Sequence, residues 1–311
     1  MNVRNWISAG LIVTATLALT ALVLAAWPAK AQQAQAPQAT SASVPDFSGI
    51  WRHGSLPWLI PPAAGPGPVT NRTRRKDNGQ SDYGMLVGDY TNPILQPWAA
   101  DVVKKKGDIS LAGMDYPNPA NQCWPEPVPF LFKHMAMTML QLPSEIVMLF
   151  SEDHEVRRVR LNGTHPADLK PSWHGDAVGH YEGDQLLIDT AGIKLDRPYA
   201  MIDLFGTPYT AKLHVTERYE LADRDTVKDA IARGAKENWR PAGPMNPKYE
   251  DKYLFVHFTI TDEGAYTTPW KADMVYIRDY LEWPEIACAE NAFGFHHDES
   301  AHLPQSDKPD F

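Results

Sequence analysis

Histidines and carboxylates alternate in the middle of the chain, and these residue types suit proton transfer. Asp176, Val178, His180 and Glu182 occupy every second position, so an extended strand places them on one face. A carboxylate beside an imidazole orients the ring and raises its basicity. The alternation therefore predicts a catalytic site for acid–base chemistry that contains Asp176 and His180.

Two further histidines are candidates for the same catalytic site. His154 follows an aspartate, and His214 shares the face of a predicted strand with Arg218. If the strands close into a barrel, histidines from distant strands can reach one cavity. We predict that His154 and His214 meet His180 there, with Asp176 nearby. The alternative is that each histidine is a hydrogen-bonded structural residue.

The same histidines could hold a metal ion. Three neutral imidazoles, or two with a carboxylate, bind a divalent transition metal and leave a coordination position open. His154, His180 and His214 are the ligands in this hypothesis. Because they are far apart in the sequence, only the fold could assemble them, and metal-free chemistry stays an alternative.

Aromatic residues and one arginine are candidates for substrate binding. Trp173, Tyr266 and Trp270 could line a pocket, with Arg218 at its edge. Such a pocket would accept an apolar or aromatic small molecule. The alternative is that the aromatic side chains only pack the core, since the chain has 10 tryptophans.

The sequence contains none of the standard catalytic strings. It has no Gly-x-Ser-x-Gly elbow, no His-Glu-x-x-His zinc helix, no Walker loop and no Gly-rich dinucleotide fingerprint. We therefore expect no nucleotide cofactor. Proton-transfer chemistry of the lyase, isomerase or hydrolase type fits the residues, and a metal-dependent oxidation stays open.

Short β-branched and aromatic runs separated by turn residues indicate a mainly β protein. The pattern predicts an antiparallel β-sheet or β-barrel with a few short helices and long loops rich in Pro and Gly. Helices are expected at 97–106, with Gly107 as the stop, and at 226–233. Strands are predicted at 47–51, 135–142, 145–150, 156–161, 177–181, 185–189, 212–221, 253–261 and 274–280.

The N-terminus is typical of a secretory signal. A basic residue, Arg4, precedes a long apolar stretch, and Ala29-Lys30-Ala31 is a pattern that signal peptidase accepts. We predict a signal peptide at 1–31, an Ala/Gln-rich linker at 32–43 and one barrel-like domain at 44–311. The mature protein is then periplasmic or secreted, without stable membrane insertion. An uncleaved anchor is the alternative, because the apolar stretch approaches the length that spans a bilayer.

The charge balance argues against polyanionic partners. The chain has 29 basic and 38 acidic residues, a formal charge of −9, and loss of the predicted signal removes Arg4 and Lys30. Nucleic acids and anionic membrane surfaces require clustered positive charge. We therefore expect no nucleic-acid partner. The oligomeric state is left open.

The chain has two cysteines, Cys123 and Cys288. In an exported protein an even pair predicts a disulfide, and here it would attach the C-terminal segment to the middle of the chain. The alternative is two buried free thiols. No Cys-x-x-Cys spacing suggests a redox motif or a zinc knuckle.

Six motifs are spread over most of the mature chain: Asp153-His-x-Val-Arg-Arg158, Gly163-x-His-Pro166, Trp173-x-Gly-Asp-x-Val-Gly-His-x-Glu-Gly-Asp184, Leu213-His-Val-x-Glu-Arg218, Ala265-Tyr-Thr-x-Pro-Trp270 and Ala287-Cys-x-Glu-Asn291. Together they resemble a family of exported bacterial proteins that has no settled activity. The opening Phe47-Ser-Gly-x-Trp51 is also similar to the first strand of lipocalin-like barrels, and this resemblance implies an antiparallel, lipocalin-like (calycin-like) β-barrel.

Three classes of function remain open from the residues. The first is an enzyme that acts on an apolar or aromatic small molecule in a barrel pocket by His/Asp acid–base chemistry. The second is a non-catalytic, lipocalin-like carrier of such a molecule, and the third is an interaction domain. Ionisable residues on regular strands favour the enzyme, since a carrier of an apolar ligand has little need for them.

Overall fold

The computed structural model describes residues 44–54, 59–114, 116–152, 155–195, 200–237 and 251–279. The predicted signal, the predicted linker, His154 and Cys288 lie outside these ranges. Cys123 lies inside them and is not a free thiol, so its bridge to Cys288 stays a prediction. Among the described residues no helix is long and apolar enough to cross a membrane.

Nine strands form a closed β-barrel in which each strand pairs with its neighbours in chain order. All neighbouring pairs are antiparallel except β4 and β5, which run parallel and share two residue pairs. The mainly β barrel predicted from the sequence is thereby confirmed. The strands are β1 Gly49–Arg52, β2 Ala136–Gln141, β3 Glu145–Phe150, β4 Val156–Leu161, β5 Asp176–Glu182, β6 Gln185–Ala191, β7 His214–Ala222, β8 Tyr253–Thr261 and β9 Trp270–Asp279.

The core lies inside the barrel, and most strands alternate buried and more exposed side chains. In β3, Ile146, Met148 and Phe150 are buried, while the residues between them are less so. This period of two is what a strand with one covered face requires. Phe132, in a 3₁₀ turn at Phe130–Lys133, packs edge-on against Phe150 inside the barrel.

The first helix, α1, spans Pro97–Leu111, so the predicted stop at Gly107 was wrong. Gly107 is buried and packs against the Val87 side chain. A Cβ atom at Gly107 would lie 2.9 Å from Val87 Cγ1. This glycine is therefore a close-packing residue inside the helix rather than a terminator, a role that the local sequence does not reveal.

The second helix, α2, spans Arg224–Lys236 and covers part of the outer face of the barrel. Its buried residues Val227 and Ala230 pack with Phe255 of β8 and Val275 of β9. A short helix is predicted from the sequence at 226–233, which lies within these bounds. The outer positions of β8 and β9 are apolar here because the helix shields them from water.

Strand β9 begins four residues before the predicted start of the last strand at 274, at Trp270. Trp270 and Ala272 face inward and are buried, while Lys271 is exposed. The predicted start at 274 leaves out the first part of the alternation, in which the charged residues Lys271 and Asp273 occupy the positions between buried ones. The alternation nevertheless matches a strand with one wet face.

Candidate functional site

His165 lies between two carboxylates on the outer face of the barrel. Its Nδ1 is 2.7 Å from Asp176 Oδ2, and its Nε2 is 3.0 Å from Asp189 Oδ2. Partial burial lowers the pKa of His165, but the two hydrogen bonds to carboxylates outweigh this effect and raise the pKa above its usual value. The ring is therefore held as an imidazolium over a wider pH range than a solvated histidine.

His214 shares Asp189 with His165. His214 Nδ1 lies 3.1 Å from Asp189 Oδ1, and the centroids of the two imidazole rings are 6.0 Å apart. The side chain of His214 is 46% exposed, and within the described ranges its Nε2 bonds to no protein group. The Asp189 carboxylate thus lies at ion-pair distance from Nδ1, while Nε2 is open to the solvent.

Arg160 of β4 fixes Asp176 at the other end of the network. The guanidinium contacts both carboxylate oxygens of Asp176, with Nη2 3.0 Å from Oδ2. The hydrogen bonds from Arg160 hold the pKa of Asp176 below its usual value, and the bond from His165 adds to this effect. Asp176 is therefore a fixed anion that orients the His165 ring.

A surface groove with a volume of about 460 Å³ adjoins this network. Asp189 belongs both to the network and to the wall of the groove, and His180 forms another part of the wall. The floor combines apolar side chains with a few polar groups. The lining residues are Asn162, Gly163, Val178, Gly179, His180, Leu187, Ile188, Asp189 and Thr216.

The connection between β4 and β5 places His165 over the sheet. Parallel neighbours need a crossover rather than a hairpin, and residues 162–175 provide it. Asn162 begins the connection with φ 56°, and its N–H donates to Gly179 O at 2.7 Å. At the other end, Gly175 has φ 75°, and a Cβ atom there would lie 2.8 Å from Ala191 O. These two residues let the connection lie flat against β5 and β6.

The structure brings together some of the predicted catalytic residues. Asp176 and His214 join one network through His165 and Asp189. His180 lies in the groove wall, where its Nε2 is 2.9 Å from Glu182 Oε1. The fourth predicted catalytic residue, His154, is outside the described ranges.

The predicted substrate-binding residues lie in separate places. Trp173 packs edge-on against Trp124, with ring centroids 5.7 Å apart. Tyr266 and Trp270 are buried and pack edge-on against each other. Arg218 is exposed on the outer face of β7, whereas Trp270 of β9 faces the interior of the barrel. Tyr266 and Trp270 therefore form part of the core, and neither of them lines the outer groove.

Sequence reasoning missed a polar cluster inside the barrel. Arg157 of β4 forms a two-pronged ion pair with Glu217 of β7, with N–O distances of 2.8 and 2.6 Å. Arg157 Nη2 also donates to Thr190 Oγ1 at 2.7 Å, and Tyr219 Oη donates to Glu217 Oε2 at 2.6 Å. The signal was present in the sequence, because Glu217 lies between the inward-facing Val215 and Tyr219.

A second buried ionic cluster lies next to the 3₁₀ turn. Lys133 Nζ is 3.1 Å from Glu126 Oε1 and 3.0 Å from Glu152 Oε2. His134 Nε2 is 2.9 Å from Glu126 Oε2. Burial lowers the pKa of His134, but Glu126 and Glu152 outweigh it, so that this pKa is raised. The two glutamates thus neutralise the buried ammonium group of Lys133.

The metal hypothesis gains no ligand set from the described residues. Within those ranges, no group of three or more His, Cys, Asp or Glu side chains is arranged to hold a metal ion. His180 and His214 are each paired with a carboxylate instead. Because His154 belongs to the predicted set and is not described, the hypothesis stays a prediction.

Comparison with protein-family models, with curated proteins and with solved structures finds no match for this chain. The resemblance to an exported bacterial family stays a prediction. Functional inference therefore depends on the side chains around the groove and on those inside the barrel.

Proposed function

We propose that the protein is an exported enzyme that performs acid–base chemistry on a small molecule bound in the outer groove. The observation that carries this proposal is the arrangement around Asp189. This carboxylate lies 3.1 Å from His214 Nδ1, is hydrogen-bonded to His165, and forms part of the groove wall. A histidine paired with a carboxylate and open at Nε2 suits the role of a general base.

Each residue of the network has a distinct role in this proposal. His214 Nε2 takes a proton from the substrate, and His180 in the groove wall is the proton donor. His165 is a positioning residue, because both of its ring nitrogens are engaged by carboxylates. Asp176 fixes His165 in turn. A base beside the groove, next to Asp189 of its wall, and an acid in that wall support isomerisation, elimination or hydrolysis.

The groove also indicates the class of substrate. Val178, Leu187 and Ile188 supply apolar surface, and Thr216 and Asn162 supply hydrogen-bonding groups. Such a lining suits a small, largely apolar molecule with one polar reacting group. The volume of about 460 Å³ is within the range of ordinary ligand sites.

The test is a turnover screen with a matched pair of variants. Aryl esters, enolisable ketones and β-hydroxy ketones sample hydrolysis, isomerisation and elimination. We expect His214→Gln to lower kcat/KM by about 100-fold or more, a typical contribution of a general base. His257→Gln is the control, because His257 also pairs with an aspartate, Asp273, at 2.8 Å, but this aspartate does not line the groove, whereas Asp189 beside His214 does.

The pH profile provides a second readout. A general base makes kcat/KM depend on pH, so His214→Gln should lose a pH dependence that His257→Gln keeps. Equal losses in His214→Gln and His257→Gln would contradict the proposal. Stoichiometric binding of the screened compounds without turnover would instead favour the non-catalytic carrier.

A further inference from the structure

The buried polar atoms that bond to no protein group within the described ranges include Arg157 Nε, Tyr276 Oη and His53 Nδ1. The parent side chains are between 0% and 1% exposed. Buried polar groups in proteins almost always have partners, so each of these atoms requires an explanation. The outer groove and its network do not use any of them.

The three atoms belong to one region of the interior. The rings of His53 and Tyr276 are 5.2 Å apart and meet edge to face. Tyr276 also lies within electrostatic range of Glu217 and Arg157. The polar cluster therefore extends from the Arg157–Glu217 pair through Tyr276 to His53.

The hydrogen-bonding capacity of these atoms can be counted. His53 Nε2 lies 3.0 Å from Phe132 O and 2.8 Å from His134 O, so it carries the proton and donates. Its Nδ1 is then an acceptor. Burial lowers the pKa of His53 to about 4, which keeps the ring neutral. The region offers an N–H from Arg157, an O–H from Tyr276 and a lone pair on His53.

A hydroxyl group matches this set, because it accepts two hydrogen bonds and donates one. An anion fits less well, since Arg157 is already neutralised by Glu217 and the site would gain an uncompensated buried charge. We propose that the barrel interior binds a neutral, apolar molecule through a single hydroxyl group held by Arg157, Tyr276 and His53.

The surroundings suit the apolar part of such a molecule. Four methionines, which are buried on inward-facing strand positions, are available to rearrange around a guest: Met137, Met139, Met148 and Met274. Met148 contacts the guanidinium directly, with its Sδ 3.8 Å from Arg157 Nη1. Methionine side chains adapt to irregular shapes at low energetic cost.

The experiment compares 1-naphthol with naphthalene, which lacks only the hydroxyl group. Affinities for the purified full chain are measured by fluorescence titration. We expect 1-naphthol to bind about tenfold more tightly, as one or two well-made buried hydrogen bonds provide. Tyr276→Phe should reduce this preference at least threefold.

Tyr266→Phe is the matched control, because Tyr266 is equally buried but its hydroxyl already donates to Pro208 O at 3.0 Å. It should keep the full preference for 1-naphthol. Equal affinity for the two probes, or no binding of either, would overturn the proposal. A crystal structure of the protein soaked with 1-naphthol that shows only a water between the three atoms would also overturn it. Should Tyr276→Phe not fold, the wild-type comparison of the two probes decides alone.

Discussion

Strand β4 carries two arginines that make the same kind of ion pair on opposite sides of the barrel wall. Arg157 faces inward and pairs with Glu217, and both side chains are almost inaccessible, at 1% and 0% exposure. Arg160 faces outward and pairs with Asp176, and their side chains are 49% and 15% exposed. Both pairs join an arginine guanidinium to a carboxylate, so a difference in their contribution to stability reports the effect of burial.

Burial makes the inner pair costly to disturb and the outer pair easy to adapt. A buried ion pair loses most of its Coulomb gain to desolvation, but removal of one partner strands a charge in a medium of low dielectric constant. An exposed pair is solvated and screened, and it contributes little. The protein thus uses the inner pair for a fixed interior and the outer pair to orient His165 beside the solvent.

The largest effect is expected for Glu217→Gln, which leaves the guanidinium of Arg157 buried without its counter-charge. We expect a loss of about 3–5 kcal/mol in the free energy of unfolding, measured by urea denaturation. The double variant Arg157→Met/Glu217→Leu should recover most of this loss, because it removes both charges. A loss below about 1 kcal/mol in the single variant would show that the inner pair is solvated.

The side chain of Glu152 is 21% exposed, so its burial lies between that of the inner and the outer arginine. Burial opposes ionisation of Glu152, but His134 and Lys133 lower its pKa from 4.5 to about 2. Because the folded pKa is depressed, the stabilisation is complete above pH 4.5 and is lost as pH falls toward 2. We expect this loss to be roughly 3 kcal/mol, followed by urea denaturation between pH 5 and 2. Glu152→Gln should lack this part of the pH dependence, and an unchanged profile would contradict the assignment.

Two tyrosines inside the barrel provide a smaller test. Tyr219 Oη donates to the Glu217 carboxylate at 2.6 Å, so Tyr219→Phe should cost about 1.5–3 kcal/mol in unfolding free energy. Tyr276 Oη has no protein partner among the described residues, so Tyr276→Phe should change stability by less than about 0.5 kcal/mol. Equal losses in thermal or urea denaturation would show that Tyr276 is bonded in solution.

The smallest effect on stability is expected at the outer pair. Asp176→Asn removes the counter-charge of Arg160 and of His165, but the solvent can replace it. We expect a loss of less than about 1 kcal/mol in unfolding free energy. The pKa of His165, followed by NMR titration of its ring protons, should fall in the same variant, because Asp176 contributes to raising it. A large loss of stability with an unchanged pKa would reverse the roles of the two pairs.

Strand positions could be predicted where one face is apolar and the other polar. The bounds predicted for β3, β4 and β8 agree with the structure, because their alternation reports directly which side faces the core. The partners of the site residues could not be predicted. His165 belongs to no alternating pattern, and its two carboxylates come from β5 and β6. Contacts across a closed barrel depend on strand order and register, which no local pattern encodes.

The interior charges illustrate the same limit differently. Arg157 and Glu217 stand at inward positions of their strands, so the pattern exposes each one as an exception to an apolar face. Their pairing, in contrast, depends on the closure that brings β4 near β7. The sequence thus shows that a charged residue occupies an inward position, whereas only the closed barrel shows which opposite charge neutralises it.

The parity of the strand count has a consequence for the whole outer site. Strand directions that reverse at every step around a ring return to the starting direction only when the number of strands is even. With nine strands the ring must contain an odd number of parallel neighbours, and β4 with β5 is that pair. A parallel pair forbids a tight hairpin, so the crossover at 162–175 is a topological necessity. That crossover carries His165 and borders the groove. In a barrel of eight or ten strands every neighbouring pair could be antiparallel, and no crossover would be required here.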